Sequence, residues 1–210
     1  MSKKAGIILW VAVIFSYIGI LLVYKKLPQT VPIHWDSNFE INGYADKKYM
    51  FLIGAMPAIF YVLFYVLKYI DPRKKNYDPK TYSIISGAVV VLCIFFTWVT
   101  VVTSLKMNLN MKLLMPVGMG ILFMIIGNYL PKIKNNYFVG IKNPWALSDD
   151  NVWRKTHKAG GYIFMISGIL MLPTGVINER IYSNFVFGFL LAGIIAVNGY
   201  SYLIYRKDHK

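Results

Sequence analysis

The sequence predicts an all-α protein, a polytopic membrane helical bundle of six transmembrane helices with a small extracytoplasmic loop cap and a cytoplasmic amphipathic helix. Three observations predict it. Of the 210 residues, 57% are hydrophobic, only 15% are charged, and mean hydropathy is +0.49, a balance foreign to soluble domains. The apolar residues gather into six runs, most of them near the ~20 residues that cross a hydrocarbon core of roughly 30 Å. The cations cluster between those runs, and only Lys68 and Lys112 fall within one, each near its end.

The first run, 5–24, follows Lys3 and Lys4 and in that respect looks like a secretory leader. Lys25 and Lys26 come after it in place of a small-residue cleavage site, which predicts a retained anchor. The stretch 27–48 is too polar for a bilayer. In it Val31, Ile33 and Trp35 alternate with Pro32 and His34, and Asn42-Gly43 is a turn signal, so a small extended or hairpin-like cap is expected. Further apolar runs occupy 49–70, 82–104, 111–130, 162–177 and 183–205. Short connections such as 178–182 imply antiparallel neighbours. The chain thus divides into an N-terminal two-helix unit, 1–80, and a four-helix unit, 81–210, with an insert at 131–160.

That insert belongs to the longest hydrophilic stretch, 127–161, which carries six Lys or Arg, Trp145, Trp153 and His157 against Asp149 and Asp150. Pro131, Pro144 and the Asn135-Asn136 pair break regular structure early in it. A helix is expected from Ser148, whose hydroxyl suits an N-cap, with the two aspartates placed where the helix dipole is positive. Trp153 and His157 then share a face at i, i+4. A short basic helix bearing tryptophan and running into an apolar segment suits the membrane boundary and its anionic headgroups.

The formal charge of +14 suggests nucleic acid in a soluble protein. Here the cations alternate by side: sixteen Lys or Arg fall at the N-terminus, 68–80, 131–158 and the C-terminal tail, and seven on the other side. The positive-inside rule therefore places both termini and the insert in the cytoplasm, and 34–46 outside, with anionic lipid rather than nucleic acid as the partner of the charge. The single Cys93 excludes an intrachain disulfide and a cysteine metal cluster. No acid and no Arg falls within a span, which argues against a buried proton relay.

Gly161, Gly168 and Gly175 recur every seven residues in the fifth run, and Gly188, Ala192 and Ala196 every four in the sixth, so those two spans are expected to pack together. Pro57, Pro116 and Pro173 are expected to kink or begin helices. His34, Asp36 and Glu40 offer one nitrogen and two carboxylates, but the spacing fixes no metal geometry and a polar cap is the better reading. His157 is too far from Asp149 and Asp150 for an acid/base pair and reads as a cation near a helix end. With no phosphate loop, nucleophile elbow or HExxH, nothing compels an enzyme or a cofactor.

Two groups of motifs resemble a known family. In the insert they are Gly127-Asn128-Tyr129-Leu130-Pro131-Lys132, Gly140-Ile141-Lys142-Asn143-Pro144-Trp145-Ala146-Leu147 and Val152-Trp153-Arg154-Lys155-Thr156-His157. In the outer loop they are Val31-Pro32-Ile33-His34-Trp35-Asp36, Asn42-Gly43-Tyr44 and Lys47. The first set resembles the SdpI family of bacterial membrane immunity proteins, and the second the small domain of unknown function often found at the N-terminus of such proteins. Lys142, Asn143 and Ala146 stand where Arg, Thr and Thr are more usual, and Lys for Arg removes a planar bidentate donor.

The resemblance implies protection of a producing bacterium from a secreted peptide or protein toxin. In some systems it also implies a signalling role, with a cytoplasmic transcriptional repressor held at the membrane. On this reading His34, Trp35, Asp36, Asn42 and Tyr44 face the toxin, and Asn128, Pro131, Pro144, Trp145, Trp153, Arg154 and His157 form the cytoplasmic motif. The alternative is a small transporter or lipid-handling permease, for which Thr97, Thr100, Thr103, Asn128, Asn198 and Ser201 are the polar residues available to line a path.

Overall fold

A computed structural model of the chain describes residues 3–36, 40–107, 109–177 and 180–209. It is a bundle of long helices with one two-stranded hairpin: α1 (Lys3–Val23), β1 (Thr30–Trp35), β2 (Ile41–Asp46), α2 (Tyr49–Ile70), α3 (Pro79–Ser104), α4 (Met111–Tyr129), α5 (Pro144–Ser148), α6 (Asp150–Met171) and α7 (Arg180–Asp208). Among the described residues five helical stretches are long and apolar enough to cross a membrane: Lys4–Lys26, Tyr49–Ile70, Pro79–Ser104, Met111–Lys132 and Arg180–Asp208. The apolar helices and their lipid-suited exposed surfaces make this a membrane protein.

The fifth apolar run, 162–177, departs from the sequence reading and is not among those five stretches. The amphipathic helix and the fifth apolar run are not two elements but one continuous helix, α6, whose first half is polar. Gly160 and Gly161, which separate them in sequence, remain helical because both are buried against neighbours: Gly160 against Ile141 and Leu130, Gly161 against Gly127 and Pro131. The helix also starts later than expected. Asp149 is the N-cap, its Oδ1 accepting from the Asn151 and Val152 amides at 2.7 and 2.8 Å, while Ser148 closes the preceding short α5. The connection expected at 178–182 lies partly outside the described residues, which resume at Arg180.

The hairpin is antiparallel, with Thr30 opposite Asp46 and Trp35 opposite Ile41. The expected alternation of Val31, Ile33 and Trp35 does not hold, because the register shifts between Pro32 and Trp35. Val31 and Pro32 are both buried, and Ile33, at the first register shift, is exposed. Gly43 sits opposite His34, where a Cβ would lie 2.9 Å from the histidine's own. Val31 and Leu27 plug into a core with Ile20, Met50 and Val101, which docks the hairpin on α1, α2 and α3.

The expected packing of α6 on α7 is present, but the closest glycine contact lies elsewhere. The glycine stripe of α6 meets α4 at backbone distance: a Cβ on Gly161 would lie 2.8 Å from the Gly127 carbonyl oxygen, and one on Gly168 2.6 Å from that of Gly120. α7 does pack on α6, through Gly193 against Ile163, but Gly188 meets nothing. Small residues therefore join α6 to α4, where, among the described residues, glycines face glycines. Elsewhere Trp98 of α3 fills the notch at Gly19 of α1, its Nε1 donating to Ser16 Oγ at 2.9 Å.

Candidate functional site

The hairpin roofs a cleft of about 1020 Å³ whose floor is α2, α3 and α4. His34, Trp35, Asp36 and Tyr44 line it from above, and Ile53, Met56, Phe96, Thr97, Met115 and Met119 from below. Asn42, the fifth hairpin residue singled out by sequence, lies beside the cleft: its Oδ1 is 2.5 Å from His34 Nδ1 and holds that ring. Asp36 Oδ1 accepts the Glu40 amide at 3.0 Å and closes the hairpin end, while Glu40 Oε1 faces Lys112 Nζ of α4 at 3.9 Å. Trp35 Nε1 is buried and, among the described residues, has no hydrogen-bond partner. A buried donor without a partner is disfavoured by about 1–3 kcal/mol, and a ligand acceptor entering the cleft relieves it. No three His, Cys, Asp or Glu converge to hold a metal among the described residues.

At the other end of the bundle the insert is a folded layer rather than an exposed docking arm. Trp153 is 2% exposed and His157 0%. Trp153 Nε1 donates to the Ile133 carbonyl at 2.7 Å, and its indole stacks on the His157 ring at 4.0 Å. His157 Nε2 accepts the Ile141 amide at 3.1 Å, and Nδ1 faces the Trp153 carbonyl at 2.9 Å, which assigns the proton to Nδ1. Burial pushes the imidazole down to about 4, so it is neutral at physiological pH. This corrects the expectation of a helix-end cation. Gly140 passes directly over the ring with φ of +118°, and a Cβ there would overlap Nε2.

Neither aspartate approaches His157. Asp149 caps α6, and the Val152 amide above all holds its carboxyl below the usual range. Asp150 Oδ1 accepts from Asn135 Nδ2 at 2.8 Å. Pro144 opens α5 behind its Asn143 cap, and Trp145 leans on Tyr202 of α7 at 5.2 Å. Pro131 packs on Gly161. Arg154 stays exposed, bonded to Asn151 at 2.8 Å, and Asn128 is exposed on the last turn of α4. The structure thus buries Trp153 and His157 together and leaves Pro131, Arg154 and Asn128 exposed.

Residues the sequence reading passed over tie this end together. Asp71, only 1% exposed, accepts from Tyr77 Oη at 2.6 Å and from the Tyr137 amide at 3.0 Å. Burial, then the Asp71 carboxylate, raise the Tyr77 phenol, so it stays a donor. Arg73 bonds Asn135 and lies 4.6 Å over the Tyr137 ring. The available signal was the Asp71-Pro72 step just after an apolar run. Among the polar residues offered for a transport path, Thr97 Oγ1 donates to the Ile53 and Cys93 carbonyls, and Asn198 and Ser201 bond Asn143. Those groups hold helices and insert in place.

Comparison with known proteins follows the same two ends. Residues 132–202 match the SdpI/YfhL protein family, and residues 7–61 match a domain of unknown function, DUF1648. The C-terminal third of the chain is thus similar to the SdpI family. Over 205 residues, 97% of each chain, it is also 24% identical to Immunity protein SdpI of Bacillus subtilis (strain 168). No solved structure matches. The SdpI segment starts in the buried insert and ends in α7, so the match covers the layer that His157, Trp153 and Asn143 build. The N-terminal match spans α1, the hairpin and half of α2.

Proposed function

We propose that this is an integral membrane immunity protein that protects its host from a secreted peptide or protein toxin by engaging it beneath the hairpin. One observation carries the reading: in a chain that aligns end to end with an immunity protein, four of the five hairpin residues expected to face a toxin line one apolar cleft with a stranded indole donor. An apolar segment carrying a backbone carbonyl matches that lining, because it fills the methionine and phenylalanine floor and accepts from Trp35. The hairpin lies outside the cell in this proposal, with both termini and the insert in the cytoplasm. The lysine and arginine excess on the insert side supports that orientation.

The finer step is signalling. Lys132, Lys134, Lys142, Arg154 and Lys158 are exposed on the insert and form a basic surface that suits an acidic soluble repressor or anionic headgroups. Co-purification of a soluble partner with the wild type, lost in Arg154→Ala/Lys158→Ala, supports it. Because Trp153 is core, its removal tests folding instead.

The test of immunity is survival. Sensitive cells producing the wild type are expected to outlive empty cells under a cognate toxin by at least roughly tenfold, and Trp35→Phe, which removes only the indole N–H, is expected to lose most of that protection at an unchanged membrane level. Equal killing of both strains across a panel of toxins encoded beside such genes overturns the proposal.

A further inference from the structure

The end of α2, the turn after it and the start of α3 mix tyrosines with lysines: Tyr61, Tyr65, Lys68 and Tyr69, then Lys74, then Tyr82. Folding brings them round a second cavity, of about 630 Å³, closed on one side by Trp10 of α1. It lies at the insert end, away from the hairpin cleft. Its walls brace one another: Trp10 rests on Tyr61 at 4.7 Å between ring centroids, and Tyr82 Oη donates to the Phe64 carbonyl at 2.5 Å. Lys68 Nζ stands 5.5 Å from the Tyr82 centroid and Lys74 Nζ 5.2 Å from that of Tyr69.

No carboxylate is among the lining residues, and among the described residues neither lysine forms an ion pair. Two ammonium groups at an aromatic, otherwise apolar cavity are complementary to an anion that carries an apolar tail. Lys68 is in the last turn of a helix apolar enough to cross a bilayer and Lys74 just beyond it, which is headgroup depth. Tyrosine and tryptophan favour the same depth.

We propose that this cavity binds one anionic phospholipid, its phosphate between Lys68 and Lys74 and the upper part of its acyl chains against Trp10 and Tyr61. The site shares no residue with the hairpin cleft and stands whether or not the immunity reading does. A zwitterionic headgroup turns an ammonium toward the same lysines and binds less well.

The experiment reconstitutes the full chain with dibrominated phosphatidylglycerol or dibrominated phosphatidylcholine and measures tryptophan quenching. The difference between wild type and Trp10→Phe isolates the Trp10 signal. The expected preference for the anionic lipid at Trp10 is roughly tenfold, and Lys68→Gln/Lys74→Gln is expected to bring it to about one. Lys68→Arg/Lys74→Arg retains it, which guards against a variant that merely misfolds. Lys75→Gln/Lys80→Gln removes the same charge nearby, outside the cavity, and also retains it. An equal loss in that control means diffuse surface potential and overturns the site. So does displacement of the brominated lipid from Trp10 by soluble glycerol phosphate as effectively as by unbrominated phosphatidylglycerol, which assigns the cavity to a free phosphate.

Discussion

His157 shows how a single side chain joins a loop to a helix. Its Nε2 takes the Ile141 amide and its Nδ1–H serves the Trp153 carbonyl, so protonation at Nε2 breaks the bond to the insert and places a charge in a fully buried position. The folded-state value near 4 lies below the ordinary 6.5, so the unfolded chain binds the extra proton first as pH falls. Stability is therefore full above about pH 6.5 and is lost progressively down to about pH 4, by on the order of 3 kcal/mol from this group. In detergent-solubilised protein, His157→Gln is expected to be less stable than wild type at pH 7.5 but to lack that part of the acid loss. Parallel Tm-versus-pH curves for the two proteins count against the assignment. The i, i+4 spacing of Trp153 and His157 was legible in sequence. Their burial was not, because it depends on the 133–141 backbone folding over them.

Between elements, the contact that organises the second half of the chain is α4 against α6. Gly120 and Gly127 lie against Gly168 and Gly161, with backbone atoms at distances no Cβ tolerates. In lipid, where apolar side chains gain nothing by leaving solvent, close backbone approach supplies the association through dispersion contacts. Gly161→Ala is expected to destabilise the protein by about 1–3 kcal/mol, as forced separation of packed elements does. The same change at Gly188, whose added methyl meets nothing, is expected to be neutral or to stabilise by up to about 1 kcal/mol through helix propensity. Thermal unfolding of both variants in one detergent decides this, and equal effects contradict the packing. The seven-residue glycine spacing announced a close helix contact. The choice of α4 over α7 as its partner needed the matching pair on α4, which sequence spacing alone does not single out.

For the molecule as a whole, the start of α1, the 71–78 turn, the insert and the end of α7 share one end of the bundle, and the hairpin takes the other. Ties across the insert end include Arg73 to Asn135, Asn151 to Asp208 at 2.8 Å and Asp149 to His209 at 3.8 Å. One end of the bundle is thus cross-tied and lysine-rich, and the other bears the cleft. In a Cys93→Ser background, a membrane-impermeant thiol reagent applied to intact cells is expected to label Lys48→Cys and to spare Lys158→Cys until the membrane is permeabilised. The reverse pattern inverts the orientation. Exposed pairs such as Glu40 with Lys112 add at most about 1 kcal/mol, so the cohesion of the whole comes from helix packing.

By itself the sequence determined the solvent of this protein, the positions of its long helices and the existence of the hairpin, because apolar run length, charge placement and turn residues such as Asn42-Gly43 act locally. Only the tertiary structure decided that the basic insert is a packed layer, that its helix is continuous with the fifth apolar run, and that the hairpin register shifts at Ile33. Those outcomes depend on what lies opposite each residue: a glycine that admits a neighbour, an amide that reaches a histidine, a strand whose register shifts by one. No single stretch of chain contains that information.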